Sequence, residues 1–218
     1  MFSDINSKTN GEYRFYTTIK NNINVIFDVG CRYDSEFINF QGECHYFDPV
    51  SKYIEQLSKK ENKNKVSYFN SFGLGNENKK SYYYPMYESF YDRIKSCGTS
   101  DDSNKISLQI KKAKDYINEN KITSIDFLKI DTEGYELSVL EGFEELLQNV
   151  KIIQFEYGGT FLDNNLKLID VIQYLESKDF YKFSYLSDSG TVLITDFSDH
   201  YKYCNIVCIN KNSDYKPF

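Results

Sequence analysis

The sequence predicts an α/β fold: a mostly parallel central sheet with helices on both faces and an antiparallel strand near the C-terminus. Three observations carry that expectation. Short apolar runs alternate with longer amphipathic segments, the pattern of βα repeats whose sheet is covered on both sides. Four of the five runs close on or beside an acid, at Asp28, Asp48, Asp131 and Glu156. Ligands of open parallel sheets sit at the carboxyl ends of the strands, so those four positions mark one edge. The tail is strand-rich and carries a hairpin-like turn at Ser187–Gly190.

Taken in order, Asn24–Asp28 is the first compact run and Glu43–Pro49 the second, followed by a polar helical stretch from Val50 to about Glu61. Val66–Phe69 is the third run, before a turn-rich section (Gly73, Gly75, Asn76, Asn78) and the tyrosines Tyr82–Tyr84. Lys95–Asn104, dense in Ser, Asp and Gly, reads as an exposed loop. Ile106, Ile110, Ala113 and Ile117 recur at three- and four-residue spacing, which predicts an amphipathic helix with lysines on its other face. Ile125–Ile130 is the fourth run, and a helix from about Tyr135 to Leu147 follows with Leu137, Leu140, Phe143 and Leu147 on one stripe. Lys151–Tyr157 is the fifth run, then a helix through Leu166, Ile169, Ile172 and Leu175. Strands are expected at Tyr181–Leu186, Val192–Ile194 and Asn205–Ile209.

At 218 residues the chain suits a single domain, with its core over about residues 22–212. The net charge of −6 disfavours nucleic acid as a partner, because phosphate binding rests on clustered Lys and Arg. No run approaches the ~18 apolar residues of a membrane span, and the first residues lack a basic-then-apolar signal pattern. The five cysteines are odd in number and form no CxxC pair, which fits a reduced, cytoplasmic setting. Twenty Tyr and seventeen Phe without Trp are read as core and strand formers. His45, inside the second run, is expected to be a sheet-face residue rather than a base.

Two blocks carry chemistry. In Phe27-Asp28-Val29-Gly30 a strand meets a tight turn, and Gly30 leaves room for backbone or ligand to approach. Twenty residues on, Asp48 closes the second strand, where an acid suits the two hydroxyls of a ribose. A structural turn explains the single glycine equally well, and the pair points to nucleoside binding only as one of two readings. The full G-x-G-x-x-G of a dinucleotide oxidoreductase is missing. The second block, Asp126-Phe-Leu-Lys-Ile-Asp-Thr-Glu-Gly-Tyr-Glu136, is more specific. Lys129 and Asp131 fall on one side of a strand, and a lysine among Phe127, Leu128 and Ile130 needs a paired acid. Glu133 and Gly134 form the turn into the next helix; a structural ion pair with a helix-capping Glu would also account for the block.

DFLKIDTEGYELSVLEG resembles the signature of the FkbM family of S-adenosylmethionine-dependent methyltransferases. FDVG is similar to that family's first cofactor loop, YFDP to its second strand end, FNSFGLGNEN to its third-strand segment and VKIIQFEY to the strand after the signature helix. The resemblance implies a Rossmann-like class I methyltransferase fold. It implies that Asp28 and Gly30 border the methionine end of the cofactor, that Asp48 binds its ribose, and that Asn70 and Ser71 lie beside the adenosine. Asp131 and Glu133 would face the methyl group and acceptor, with Lys129 and Glu156 nearby; Asp131, Glu133 or Glu156 would act as base.

The first loop departs from the family pattern at Gly30-Cys31-Arg32-Tyr33-Asp34, where Asp34 replaces a glycine. Arg32 would offset the added charge on the cofactor's carboxylate, with Asp34, and Ser35 beside it, on the amino group. Drift of this loop would instead leave a catalytically degenerate binding module. Asp131 and Glu156 would also suit Mg²⁺, a hard cation. The expected partner is a small-molecule or glycan acceptor, methylated on a carbohydrate hydroxyl in a sugar nucleotide or surface polysaccharide.

Overall fold

Each of the five apolar runs forms a strand in the computed structural model, which describes residues 4–83 and 105–213. The strands are β1 (Val25–Val29), β2 (Glu43–Phe47), β3 (Val66–Asn70), β7 (Ile125–Ile130) and β8 (Val150–Tyr157). They pair in parallel in the order β8-β7-β1-β2-β3. The tail adds β9 (Phe180–Ser187), β10 (Gly190–Leu193) and β11 (Cys204–Asn210). These extend the sheet beyond β8 in the order β10-β9-β11, antiparallel throughout.

Alternation with period two sends successive residues of each central strand to opposite faces, and both faces are covered. Phe27, Leu128 and Ile153 pack under α3 (Ala113–Glu119), α4 (Glu136–Gly142) and α5 (Leu168–Ser177). Their neighbours Ile26, Phe127 and Ile152 pack under α1 (Glu12–Ile19) and α2 (Ser51–Ser58). A fully buried side chain of this kind contributes about 1.5–3 kcal/mol, so the doubly covered strands dominate the core. Phe15, Tyr16 and Ile19 of α1 belong to it, so the core begins ahead of the expected residue 22.

One expected helix divides. Ile106–Lys112 is a strand, β6, and only Ala113–Glu119 is helical. Leu108 and Ile110 are buried while Ser107 and Gln109 are exposed, so period two holds over 107–110, with Ile106 exposed at the strand's start. Isoleucines four apart satisfy both periods, and β-branched residues favour the strand. β6 lies between β4 (Gly73–Gly75) and β5 (Lys79–Tyr83) in a separate three-stranded sheet. The Lys95–Asn104 loop, Cys97 and Tyr84 lie outside the described residues. Among those described, no helix is long and apolar enough to cross a membrane.

His45 is buried, bonded to the Tyr116 hydroxyl (2.7 Å) and Glu43 (2.8 Å), and stacked on Tyr68. It is a sheet-face residue.

Candidate active site

The carboxyl ends of β1, β2 and β7 open on a cleft of about 480 Å³, walled on one side by the small sheet through Leu74, Ser81, Tyr83 and Ile110. Its floor depends on Gly30. This residue has φ +86°, and a Cβ there would overlap the Asp131 carbonyl oxygen. The close approach lets β1 and β7 end side by side, with the Asp131 N–H donating to Val29 O at 2.9 Å.

At the end of β2, Asp48 is buried, and its two oxygens accept the backbone N–H groups of Val50 (2.8 Å) and Arg32 (3.0 Å). Burial raises its pKa to about 6 despite those bonds. Arg32 takes a left-handed φ of 50°, and its guanidinium lies 5.7 Å from the ring centres of both Tyr33 and Tyr53. Asp28 lies one residue below the Val29–Gly30 turn, 2% exposed, and accepts the Ser35 hydroxyl at 2.5 Å while its Oδ1 has no partner. Burial raises its pKa to about 6, against the pull of Lys129.

The end of β7 carries the acids. Glu133 (φ 56°) and Gly134 (φ 96°) turn the chain through left-handed backbone, and Glu136 secures the turn from α4. Its Oε1 accepts from Thr132 N (3.0 Å), Thr132 Oγ1 (3.0 Å) and Gly134 N (3.2 Å). Glu136 and not Glu133 thus holds the turn, which leaves Glu133 at the cleft wall. One carboxylate oxygen each from Asp131, Glu133 and Glu156 lie within 4.8 Å of one another. Burial raises Glu156 well above the usual carboxylate range, reinforced by Asp131, Glu133 and Glu136. Burial also raises Asp131, opposed by Lys129, whose ammonium is 3.4 Å from Asp131 Oδ2.

Of the residues singled out in the sequence, Gly30, Arg32, Asp48, Asp131, Glu133 and Glu156 line this cleft. Asp28 and Lys129 pair in register on β1 and β7 behind it. Four more also lie outside the lining. Asp34 is exposed and bonds Lys60 at 2.7 Å, and Ser35 is spent on Asp28. Asn70 donates to the Tyr46 carbonyl at 3.0 Å, and Ser71 is exposed. The sequence reading missed Glu12, Glu36, Glu136 and Tyr203. Glu136 sits in the quoted signature and had a detectable signal, an acid in the first turn of a helix. Glu12 and Glu36 are also first-turn acids, of short helices, but their partner Lys129 is about a hundred positions away in the chain.

A model described as the methyltransferase FkbM domain matches residues 28–182. The chain belongs to the FkbM methyltransferase family. No curated protein matches it. Two solved structures do: the plantazolicin methyltransferase BpumL in complex with SAH, and a protein of the NADB-Rossmann superfamily from Streptococcus agalactiae. The first is 14% identical with a TM-score of 0.44, over 91% of this chain and 80% of that one. The second is 14% identical with a TM-score of 0.36, over 99% and 73%. The FkbM match spans β1 to β9, and so includes every strand end that supplies an acid to the cleft.

Proposed function

We propose that this FkbM protein is an S-adenosylmethionine-dependent O-methyltransferase acting on a carbohydrate hydroxyl, in a sugar nucleotide or a surface glycan. The observation that carries the reading is the convergence of Asp48 with Asp131, Glu133 and Glu156 on one cleft beside Gly30. The donor set fits the cofactor: a strand-end acid suits a ribose diol, and clustered carboxylates suit a sulfonium. The cleft volume falls in the range of small-molecule sites. S-adenosylmethionine, when bound, supplies a methyl group activated by its positive sulfur.

The chain's own work is then positioning and proton removal. Asp48 would hold the ribose, with Gly30 and Arg32 bordering the amino-acid end. Aligning an acceptor oxygen with the methyl group contributes up to about 7–11 kcal/mol in favourable cases. A sugar hydroxyl is a weak nucleophile at neutral pH, so a base is needed as the new O–C bond forms. Glu156, whose proton affinity burial has raised, suits that role; Asp131 and Glu133 hold the acceptor, and Lys129 orients Asp131. Tyr53, Tyr83, Tyr135 and Tyr203 along the walls offer surfaces for sugar rings. The carbohydrate class rests on family resemblance, and these rings are compatible with it. Methyl-labelled S-adenosylmethionine incubated with a panel of monosaccharides and their nucleoside-diphosphate forms tests the reading. Label transfer to a hydroxyl is expected; transfer confined to amines, carboxylates or thiols would overturn it.

A further inference from the structure

Lys129 is shared among several acids, and one of them comes from a helix outside the family match. Its ammonium lies 3.4 Å from Asp131 Oδ2, 3.5 Å from Glu12 Oε1 and 4.0 Å from Glu36 Oε1, with Asp28 opposite on β1. Glu12 opens α1, is 4% exposed and lines no part of the cleft. It is held from two sides: Gln154 Nε2 donates to its Oε1 at 2.7 Å, and Asn10 Nδ2 to its Oε2 at 2.8 Å. Gln154 is itself 1% exposed and also donates to Asn205 at 3.3 Å. Keeping so many polar groups out of water is costly, and anchoring a short helix needs none of them, since Phe15, Tyr16 and Ile19 already bury its apolar face.

Their common effect is on the lysine. An ammonium paired with Asp131 alone would cancel that acid's charge as felt in the cleft. Divided between Asp131 in front and Glu12 and Glu36 behind, the same charge cancels less of it.

We infer that Glu12 is a positioning residue that shares Lys129 with Asp131, so that less of the Asp131 charge is cancelled at the cleft and the site favours a cationic sulfonium over the neutral thioether left after transfer. The inference rests on the cofactor reading above and deepens it, because it makes the cleft discriminate between S-adenosylmethionine and S-adenosylhomocysteine by charge. Loss of one negative charge about 10 Å from a monocation, at an effective dielectric of about 20–30, weakens its binding about five- to fifteenfold and leaves a neutral sulfur nearly unaffected.

Calorimetric titration of both compounds into the full chain tests this with no acceptor and no turnover. The wild type is expected to bind S-adenosylmethionine more tightly. Glu12→Gln keeps the side-chain shape and is expected to cut that preference about five- to fifteenfold while S-adenosylhomocysteine affinity stays within about twofold. An unchanged preference, or equal weakening of both compounds, would mean that Glu12 is only a structural anchor and would overturn the inference. If Glu12→Gln does not fold, Glu36→Gln decides by the same ratio: a reduced preference supports the inference and an unchanged one overturns it. Wild-type protein that binds neither compound rejects the cofactor reading itself, and the inference with it.

Discussion

Replacing Lys129 with Met removes the cation from a cluster of acids while keeping most of the side chain's length. The ammonium has Asp131 at 3.4 Å and Glu12 at 3.5 Å, and its side chain is 14% exposed. Removing one partner of such a buried arrangement costs about 3–5 kcal/mol, since the remaining charges lose their compensation. With a urea slope of about 2 kcal/mol/M, the unfolding midpoint should fall by about 2 M at pH ~8. The penalty should shrink as the pH drops. Asp28 and Glu36 already have pKa values raised to about 6 and about 7 in the folded wild type. Without Lys129 they rise further. The folded variant therefore binds protons that the unfolded chain does not, and it regains stability as pH falls from about 8 to about 5. A midpoint shift under about 0.5 M at pH ~8, or a penalty independent of pH, would refute the assignment of Lys129 as the cluster's neutralising charge.

Three further outcomes follow from named contacts. Gly30→Ala sets a Cβ against the Asp131 carbonyl at a φ of +86°, and should cost at least about 2 kcal/mol, seen as a melting temperature about 5 °C lower or more. An unchanged melting temperature would mean that the turn is not tight. Glu156→Gln should lower kcat about 10²- to 10⁴-fold with S-adenosylhomocysteine affinity retained; loss of that affinity instead would make Glu156 a cofactor ligand. EDTA should leave turnover within about twofold, because the proton is assigned to a carboxylate; loss that Mg²⁺ restores would replace that assignment with a metal-assisted one.

Much of this architecture was legible because its physics is local. Runs such as Val25–Phe27 and Ile125–Ile130 are mostly apolar, the second broken only by Asp126 and Lys129, and buried parallel strands need that composition regardless of what packs on them. Acids at strand ends mark one edge of the sheet before its order is known. Lys129 demanded a partner from its position alone. What escaped depended on contacts distant in sequence. Glu12 matters through Lys129, more than a hundred positions away, and α1 reveals itself as core only when Phe15 meets Phe127. Ile106–Ile117 was ambiguous for a different reason: a four-residue spacing of isoleucines satisfies strand and helix alike, and pairing with β4 and β5 decides it. Asp34 stands where the family's loop pattern has a glycine, which suggests the cofactor's amino group as its partner, yet its carboxylate reaches the solvent-facing Lys60.

Titration of S-adenosylhomocysteine into the wild type and Asp48→Asn tests most directly whether the acids at the strand ends form a nucleoside site. Asn keeps one oxygen for the Val50 N–H but loses the second carboxylate oxygen, which accepts from Arg32 N, and the charge that would hold a ribose diol. The wild type should bind with a measurable heat, and the variant should bind about tenfold or more weakly, the loss of roughly 1.5–3 kcal/mol expected for a hydrogen bond to a charged group. Equal affinity in both proteins, or no heat in either, would contradict it.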